Sequence, residues 1–521
     1  MAPGNGFRQS MSWLHGWAGV LLGGLLMLVF WTGSLAVFDR EIDRWMQPAT
    51  RLAPPPAELS LDRLLPRHTR QLAAVSPLWT ISLPNARTPT LQLDYLDHAL
   101  RPARRHIDPR SGELLADDGS WAGTGFIFPL HFSLHLHWRD IGYWLVGAAG
   151  MGMLALLVSG IVAHRKLVAE FFTFRPRKRF QRSLLDLHNL TGVMVLPFHF
   201  VITLSGLAIF CLIYFPGIAR DLYPEGRAQL QLEAFGVYSR PASGVAAPMA
   251  SLDTMRRDAE RRWADAGRPG KAYLLRVWNP GDRDAYVEIR RGFGNEVTMN
   301  VDRLTFDGRT GALLHQHWTP PMVGVQRFLT GLHFIQFDHW TLRWLYFAGG
   351  LSGFLLIGSG LLFWTGARRA RHARQGRVGA RLVEAVAVAA GCGVVIATLA
   401  FFIANRLLPA DIAPSSERAA LEAWAFFLAW LLTLAHAAWR PGQAWREQLQ
   451  LAAGLALLAV LLNWLTTGAH LVYSLSAGLA AVAGMDLLLL ALAGVCLLAA
   501  RRISRTGVEQ AQPQLREPQD G

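Results

Sequence analysis

Cysteine is rare in this sequence, and several motifs of soluble redox proteins are missing. The 3 cysteines, Cys211, Cys392 and Cys496, all lie within long apolar runs, so the polar segments contain no pair that could form a disulfide. The absence of a C-x-x-C-H stretch excludes covalently attached c-type haem. No convincing G-x-G-x-x-G follows a predicted strand, so we expect no flavin- or nicotinamide-binding domain of that kind.

Long apolar runs dominate the sequence instead. Of its 521 residues 52% are hydrophobic, and its mean hydropathy of +0.23 is too high for a typical soluble enzyme. A spanning helix needs about 20 predominantly apolar residues. Eight runs meet this length: 14–38, 139–163, 187–215, 341–365, 382–405, 419–439, 449–472 and 477–499. The sequence therefore predicts a mainly α, polytopic protein of the lipid bilayer, whose first run is a retained helix and not a cleaved signal peptide.

The positive charge of the chain indicates its orientation in the membrane. The formal net charge is +14, and Lys and Arg are concentrated in 164–182 and 366–381. These segments lie at alternate ends of the apolar runs, as the positive-inside rule expects of cytoplasmic loops. The charge therefore predicts that both termini are cytoplasmic and that 39–130 and 216–330 lie on the other side. It does not indicate a nucleic-acid partner.

The two long polar segments resemble each other. The first contains a helix-like stretch (59–73), strand-like pieces and "HIDPRSGELL" (106–115). The second contains a helix-like stretch (252–266), strand-like pieces and "LTFDGRTGALL" (304–314). Each ends on the pattern of a strand, a tight turn that needs glycine, and a returning strand. We therefore predict a duplicated small α+β module, with two unrelated hairpins as the alternative.

These features divide the chain into predicted regions. The first four spanning helices form a four-helix bundle that carries the two modules, and four additional helices follow. The regions are an N-terminal helix (1–38), a first module (39–130), two helices (131–215) with their loop (164–182), a second module (216–330), a fourth helix (331–370), four C-terminal helices (371–505) and a flexible tail (506–521).

Histidines gather in the first four helices, where ionisable side chains are costly and therefore candidates for function. His188 and His199 are eleven residues apart, so on a straight helix they would share one face about 16 Å apart. That distance is too long for one zinc ion, whose ligands converge on a point. A proton relay usually includes acidic residues, and Asp486, the clearest one in a span, lies in the other half of the chain. Two stacked haems, each bound by imidazoles from facing helices, fit better.

The other ligands of two haems must lie at matching depths. His15 and His164 are predicted at the level of His188, and three further histidines are predicted near the opposite end of the bundle. His199 falls near mid-span, so the sequence leaves open which histidine binds the same haem as His199. Seven histidines are candidate haem ligands: His15, His131, His135, His164, His188, His199 and His333.

Three stretches of the sequence resemble a known family. They are "WLHGWAG", the region from "LHFSLHLHW" through "FFTFRP" and "DLHN" to "PFHF", and "LHFIQFDHW" with the apolar run after it. Over residues 10–370 the chain resembles the PepSY-associated transmembrane helix family, which includes FoxB- and PiuB-type ferric-siderophore reductases. The helices after residue 381 have no counterpart in that resemblance.

The resemblance implies a fold, a cofactor and a function. It implies a multi-pass protein of the bacterial inner membrane with two periplasmic PepSY-type modules and with haem b, two per chain, held by the seven histidines. It also implies an oxidoreductase that passes electrons to a ferric siderophore at the periplasmic face and releases ferrous iron. The electrons would come from a cytoplasmic reductase or a diffusible reductant. The basic residues Arg177, Lys178 and Arg179 could attract such a donor, or they could serve only to orient the protein in the membrane.

Two other classes of function stay open on the sequence. A transporter or permease for an iron chelate or haem would use the eight helices, one of which Pro197 interrupts. A non-catalytic PepSY-type sensor would bind peptides through its modules and would contain no haem.

Overall fold

The structure is a computed structural model that describes residues 3–70, 72, 75–164, 180–217, 221, 223, 225–374, 379–409, 412 and 415–511. Arg177, Lys178 and Arg179, which were predicted to attract an electron donor, and the last part of the predicted tail lie outside the described residues. The chain forms two compact units. We call them the membrane unit, with residues from 1–46, 119–204 and 341–521, and the sheet unit, with residues from 47–118 and 205–340.

Helices make up most of the described chain. In chain order they are α1 (Pro3–Ala36), α2 (Asp39–Met46), α3 (Leu61–Leu64), α4 (Pro66–Thr69), α5 (Phe128–Ser133), α6 (Ile141–Ala163), α7 (Phe180–Met194), α8 (Leu196–Ile209), α9 (Cys211–Tyr214), α10 (Arg227–Phe235), α11 (Leu252–Asp265), α12 (Pro321–Phe334), α13 (Trp340–Arg374), α14 (Gly379–Val388), α15 (Val394–Leu407), α16 (Ser415–Trp439), α17 (Ala444–Thr467), α18 (Leu471–Ser476) and α19 (Ala480–Ala511). The π-helical turn Ala122–Ile127 leads directly into α5, and the π-helical turn Ala389–Gly393 connects α14 to α15.

The predicted polytopic membrane protein is confirmed. Within the described residues, 7 helical stretches are long and apolar enough to cross a membrane: Gly6–Ala36, Trp138–Ala163, Trp340–Arg368, Arg381–Leu407, Ser416–Trp439, Ala444–Thr467 and Ala480–Ile503. The remaining predicted run corresponds to α7 and α8, which pass the same test only as a pair.

The pair α7 and α8 is a broken helix. The two helices meet at an angle of 65°. Pro197 is the second residue of α8, and proline bends a helix because it lacks an N–H and its ring clashes with the carbonyl four residues earlier. The prediction that His188 and His199 share one face assumed a straight helix, and that assumption is wrong.

The sheet unit contains one antiparallel sheet. Its strands are β1 (Leu78–Ser82), β2 (Leu91–Leu96), β3 (Pro102–Ile107), β4 (Ala272–Trp278), β5 (Tyr286–Arg291), β6 (Arg303–Asp307) and β7 (Leu313–His317), in the spatial order β3-β2-β1-β4-β5-β6-β7. The first three come from residues 39–130 and the others from 216–330. They join through β1 and β4, where Thr80 lies opposite Arg276. The strands of both predicted modules thus form a single continuous sheet.

The predicted tight turns follow β3 and β6. Gly112 and Gly311 have φ angles of +72° and +74°, in the left-handed region that glycine adopts at no steric cost. After β6 the Asp307 carboxylate accepts the N–H groups of Arg309 and Thr310, which closes the turn. The predicted glycine turn is therefore confirmed in both segments. The returning strand is confirmed only in the second, as β7, because the first segment returns through a single isolated bridge between Ile107 and Leu114.

A repeated Ser-Leu-Asp sequence joins the helices of the two segments. The Asp253 carboxylate accepts the Ser60 hydroxyl at 2.7 Å and the Leu61 N–H at 3.1 Å, at the start of α3. In the reciprocal arrangement, Asp62 accepts the Ser251 hydroxyl and the Leu252 N–H at the start of α11. A carboxylate stabilises a helix N-terminus because the first N–H groups have no partner within the helix. Each segment therefore caps the helix of the other.

Each unit has its own core. In the sheet unit, the apolar faces of α3 and α11 pack on one side of the sheet around Trp263 and Phe306. In the membrane unit, a large aromatic cluster contains Trp45, Phe126 and Phe401, which come from α2, the first π-helical turn and α15. This cluster joins the first part of the chain to its last helices.

Candidate functional site

Two histidines from α1 and α7 face each other in the membrane unit. The ring centroids of His15 and His188 are 6.1 Å apart, and the ring planes cross at 77°. The Nδ1–H of His15 donates to the Leu156 carbonyl at 3.0 Å, and that of His188 donates to the Leu356 carbonyl at 2.8 Å. Because a carbonyl only accepts, both rings carry their proton on Nδ1 and have a lone pair on Nε2. Neither Nε2 has a hydrogen-bond partner within the described residues.

The pair lines a cavity of about 430 Å³. Four helices contribute glycines to its wall, namely Gly16 of α1, Gly160 of α6, Gly192 of α7 and Gly360 of α13, and apolar side chains make up most of the rest. His164, at the end of α6, also lines the cavity. The site is thus a mainly apolar space with three imidazoles in its wall.

A cationic side chain, Arg368, lines the same cavity. Its guanidinium lies 4.3 Å from the centroid of the Trp364 ring. No carboxylate among the described residues forms an ion pair with Arg368. An arginine in a mainly apolar wall is suited to bind a carboxylate or phosphate of a ligand, because its planar guanidinium donates two parallel hydrogen bonds.

The two imidazoles pack directly against glycines. A Cβ atom at Gly360 would lie 2.9 Å from both Cε1 and Nδ1 of His188, and one at Gly160 would lie 3.1 Å from Cε1 of His15. Side-chain atoms do not normally approach so closely, so a larger residue at either position would displace the ring. The glycines therefore help to fix the position of each imidazole.

Within the described residues, four Ser-Gly or Thr-Gly sequences share this arrangement. A five-residue sequence that ends in Ser-Gly or Thr-Gly places its glycine against a histidine ring each time. The sequences and their histidines are "VFWTG" (29–33) with His131, "LLVSG" (156–160) with His15, "ITLSG" (202–206) with His333 and "LIGSG" (356–360) with His188. In three of them the carbonyl of the first residue lies within hydrogen-bond distance of the histidine Nδ1, and His333 Nδ1 lies 3.2 Å from the Ser205 hydroxyl.

The repeated sequences pair the helices reciprocally. His15 of α1 packs on Gly160 of α6, and His131, which precedes α6, packs on Gly33 of α1. The spacing repeats as well, since His15 and Gly33 are 18 residues apart and His188 and Gly206 are also 18 residues apart. The histidine sites therefore follow an internal duplication of a helix pair.

The comparison with known sequences agrees with this architecture. Residues 12–367 match the PepSY-associated TM region, which is more than half of the chain. The chain belongs to the PepSY-associated transmembrane family. It is also similar to a Pseudomonas aeruginosa protein described as uncharacterized, with 30% identity over 321 residues, which are 57% of this chain and 76% of that protein.

All seven candidate histidines lie in the part that matches the PepSY-associated family. The match ends at residue 367, so α14 to α19 lie beyond it. The four repeated Ser-Gly or Thr-Gly sequences also fall inside the match. The family region therefore contains all the candidate histidines and their glycine contacts, and the last helices are an addition to it.

His131 and His135 lie close to each other but in different surroundings. The Nδ1–H of His131 donates to the Val29 carbonyl at 2.9 Å, as in the repeated arrangement. His135 has a positive φ of 53°, and its Nε2–H donates to the Phe126 carbonyl at 2.9 Å while its ring stacks on the Phe126 ring. Burial lowers the pKa of His135, although the hydrogen bond to Phe126 acts in the opposite direction. His135 thus donates from Nε2, whereas His15, His131 and His188 donate from Nδ1.

His199 is fully buried and is held differently from His15 and His188. The Ser352 hydroxyl donates to the Gly349 carbonyl at 2.6 Å, so it accepts the Nε2–H of His199 at 3.1 Å. The Nδ1 atom of His199 has no hydrogen-bond partner within the described residues. The ring also meets Phe30 of α1 edge-on at 5.8 Å. Its metal-binding nitrogen would therefore be Nδ1.

Sequence reasoning identified the histidines but missed the residues that hold them. Gly33, Gly160, Gly206 and Gly360 each follow a serine or threonine, and this dipeptide recurs at similar places in the four helices. That recurrence was visible in the sequence. Which histidine each glycine contacts was not, because it depends on which helices pack together.

Proposed function

We propose that the protein is an oxidoreductase that carries electrons across the membrane through haem b and reduces ferric iron in a siderophore chelate. The observation that supports this best is the His15–His188 pair, with both Nδ1 atoms bonded to carbonyls and with neither Nε2 atom partnered by a described residue. Metal-bound histidines usually donate their other N–H to a carbonyl or carboxylate, which orients the ring and raises its basicity.

The distance between the rings would let both imidazoles hold one iron. Two imidazoles that share a metal and bond it at roughly 2 Å each have ring centroids up to about 6 Å apart. The centroids of His15 and His188 are 6.1 Å apart. We therefore assign one haem to this pair.

The remaining residues of the cavity also fit a haem. Glycines and apolar side chains suit a flat macrocycle, and Arg368 offers a cation for its carboxylate groups. The bound group would supply one-electron exchange, which no side chain of the cavity provides. The chain itself holds both imidazoles in one tautomer, keeps water away with apolar walls and places a positive charge at Arg368.

We extend haem ligation to His131 and His333, which share the repeated glycine contact. Because His131 packs on Gly33, its site lies 18 residues along α1 from His15, or about 27 Å at 1.5 Å per residue. His15 and His131 are thus suited to two haem levels along α1. His135, His164 and His199 stay predicted ligands that lack the repeated arrangement.

The acceptor and the donor in this proposal come from the resemblance to siderophore reductases. Chelators with hard oxygen ligands hold ferric iron much more tightly than ferrous iron, so transfer of one electron per iron releases it for uptake. The proposed acceptor side is the periplasmic face of the bacterial inner membrane. The proposed donor is a cytoplasmic reductase or a diffusible reductant.

Reoxidation of the reduced protein by an iron chelate tests this function. The purified protein in liposomes is reduced with dithionite, freed of excess reductant and mixed with a ferric hydroxamate siderophore. The same siderophore loaded with gallium is the control, because gallium has the size and charge of ferric iron but cannot accept an electron. We expect reoxidation of the haem α-band with the iron chelate only. A protein that contains haem but is not reoxidised would rule out this class of acceptor.

Transport of the chelate is a second candidate, favoured by one interrupted helix. α7 and α8 meet at 65°. Discontinuous helices line the substrate path in many transporters. Accumulation of the gallium chelate inside the liposomes would favour transport, because that chelate cannot be reduced.

A further inference from the structure

The helices beyond the family region are packed against it by buried polar and aromatic contacts. Here the C-terminal block denotes the four spanning stretches Arg381–Leu407, Ser416–Trp439, Ala444–Thr467 and Ala480–Ile503. In the first stretch 83% of the apolar window is buried, compared with 28% in each of the next two. A helix that faced lipid would stay exposed, so the first stretch lies between the family region and the rest of the block.

Hydrogen bonds connect the block to α2 and to the π-helical turn before α5. The indole N–H of Trp45 donates to Asp486 at 2.8 Å. The Arg406 guanidinium donates to the carbonyls of Trp45 and Met46, at the C-terminus of α2, where a cation is favourable. The Ser120 hydroxyl donates to Glu422 at 2.5 Å.

Glu422 is the centre of a buried polar network. Its carboxylate also accepts a hydrogen bond from Asn405 at 2.8 Å and one from Arg418 at 2.7 Å, and its side chain has no exposed surface. An ionised group inside a membrane protein is expensive unless it is paired and fully hydrogen-bonded. Ser120 is the part of this network that belongs to the family region, and its oxygen also accepts the Ala122 N–H that starts the π-helical turn.

Aromatic packing continues the connection toward the histidines. Phe126, in the π-helical turn, stacks on Phe401 with centroids 4.5 Å apart and meets Phe426 edge-on at 5.4 Å. Leu130 of α5 is buried in the same cluster. The next residue, His131, packs against Gly33 of α1. α5 therefore lies with one side on the C-terminal block and with His131 on the helix that carries the repeated sequence.

We propose that the C-terminal block positions His131 as a haem ligand, with Glu422 and Phe401 as positioning residues that act through Ser120 and Phe126. The inference rests on the proposed haem function. It gives the four additional helices a role that the family region alone does not require. Loss of the Glu422 contact would free the start of the π-helical turn, and α5 would then shift relative to Gly33. The block also packs on Leu361 of the His15–His188 cavity, through Ala387 and Ala390. The partners described for Glu422 and Ser120 do not line that cavity, so changes at these two residues should leave the haem of His15 and His188 unaffected.

The test measures the potentials of both haems in the full-length protein. The variants are Glu422→Gln, which keeps the size of the side chain but removes its charge, and Ser120→Ala, which removes the partner hydroxyl. Gln448→Leu is the matched control, because it removes a buried hydrogen bond to the Thr433 carbonyl inside the block without touching α5. Potentiometric titration gives one midpoint potential per haem, and low-temperature electron paramagnetic resonance reports the ligand geometry of each.

We expect Glu422→Gln and Ser120→Ala to shift the potential and the resonance of one haem only, and Gln448→Leu to shift neither. Unchanged potentials and resonances in both test variants would overturn the positioning role while leaving the haem function intact. An equal shift in Gln448→Leu would overturn it too, because the effect would then come from general loosening of the block. Absence of haem from the unmodified protein would overturn the proposed function and this inference with it. Ser120→Ala makes the milder change, so it gives the answer if Glu422→Gln fails to fold.

Discussion

The ring centroids of His15 and His188 lie 6.1 Å apart. Each ring donates a hydrogen bond to a carbonyl of the helix on which it packs and contacts a glycine of the same helix. The two supports come from different helices, since Leu156 and Gly160 belong to α6 and Leu356 and Gly360 belong to α13. Four helices thus contribute to the geometry of one imidazole pair. Several measurable consequences follow from this arrangement and from the contacts around it.

Gly360→Ala should disturb the His188 side of the pair. The new Cβ would lie 2.9 Å from the ring, and overpacking of this kind typically costs about 1–3 kcal/mol of unfolding free energy. We expect a lower haem content per chain and a lower unfolding temperature. Gly454→Ala is the matched control, because Gly454 lies inside α17 and a Cβ added there would meet no neighbouring heavy atom within 4 Å. Alanine there should be neutral or stabilise the helix by about 0.5–1 kcal/mol.

Arg368→Met should remove the preference of the cavity for a ligand with free carboxylates. A partly exposed charge pair contributes on the order of 1 kcal/mol, or about fivefold in affinity. The unmodified apoprotein should bind haem about fivefold more tightly than haem dimethyl ester, whereas the variant should bind both equally. Arg440→Met, which removes a surface ion pair with Glu447, is the control. Equal affinities in the unmodified protein would show that Arg368 does not bind the carboxylates.

Asp62→Ala and Asp253→Ala should each destabilise the sheet unit. Each variant removes the carboxylate that caps a helix of the other segment, and such caps contribute about 0.5–2 kcal/mol. Thermal unfolding of the full chain measures the loss. Asp258→Ala in α11 is the control, because its partners Arg261 and Arg262 form ion pairs at the surface. A loss no greater than that of the control would mean that the reciprocal caps contribute nothing.

Asp43 of α2 should make the stability of the membrane unit depend on pH. Burial and the charge of Asp39 raise the pKa of Asp43 from its ordinary value of 3.8 to about 6. The folded state therefore favours the protonated carboxyl of Asp43. The stability that this carboxyl contributes is complete below pH 3.8 and is lost as the pH rises through about 6. Unfolding temperatures measured from about pH 4 to about pH 7 should fall over this interval, and Asp43→Asn should reduce the fall. An identical profile in the variant would assign the dependence to other groups.

The membrane helices could be predicted from the sequence because run length and hydropathy are local properties. Pro197 was recognised in the sequence as a break, but the 65° bend between α7 and α8 was not predicted. A proline does not specify the angle at which the helix continues. The distance predicted between His188 and His199 assumed a straight helix, so its basis does not hold for this broken one. Local patterns located the histidines without fixing their geometry.

In the sheet, too, local features could be predicted from the sequence, whereas long-range contacts could not. The turns at Gly112 and Gly311 were predictable, because a few neighbouring residues determine a tight turn with a positive φ at glycine. The pairing of β1 with β4 joins residues almost 200 positions apart, and no local pattern specifies it. The reciprocal contacts of Asp62 and Asp253 join residues 190 and 192 positions apart, so no local pattern predicts them either.

An absorption spectrum of the purified full-length protein tests the central claim most directly. The protein is produced with an adequate haem supply, and its spectrum is recorded oxidised and dithionite-reduced, with haem quantified per chain. We predict a sharp reduced α-band and close to two haems per chain, with about one lost in His15→Ala and in His188→Ala but none in the control His436→Ala. A colourless protein, or a haem content that both variants leave unchanged, would contradict the account.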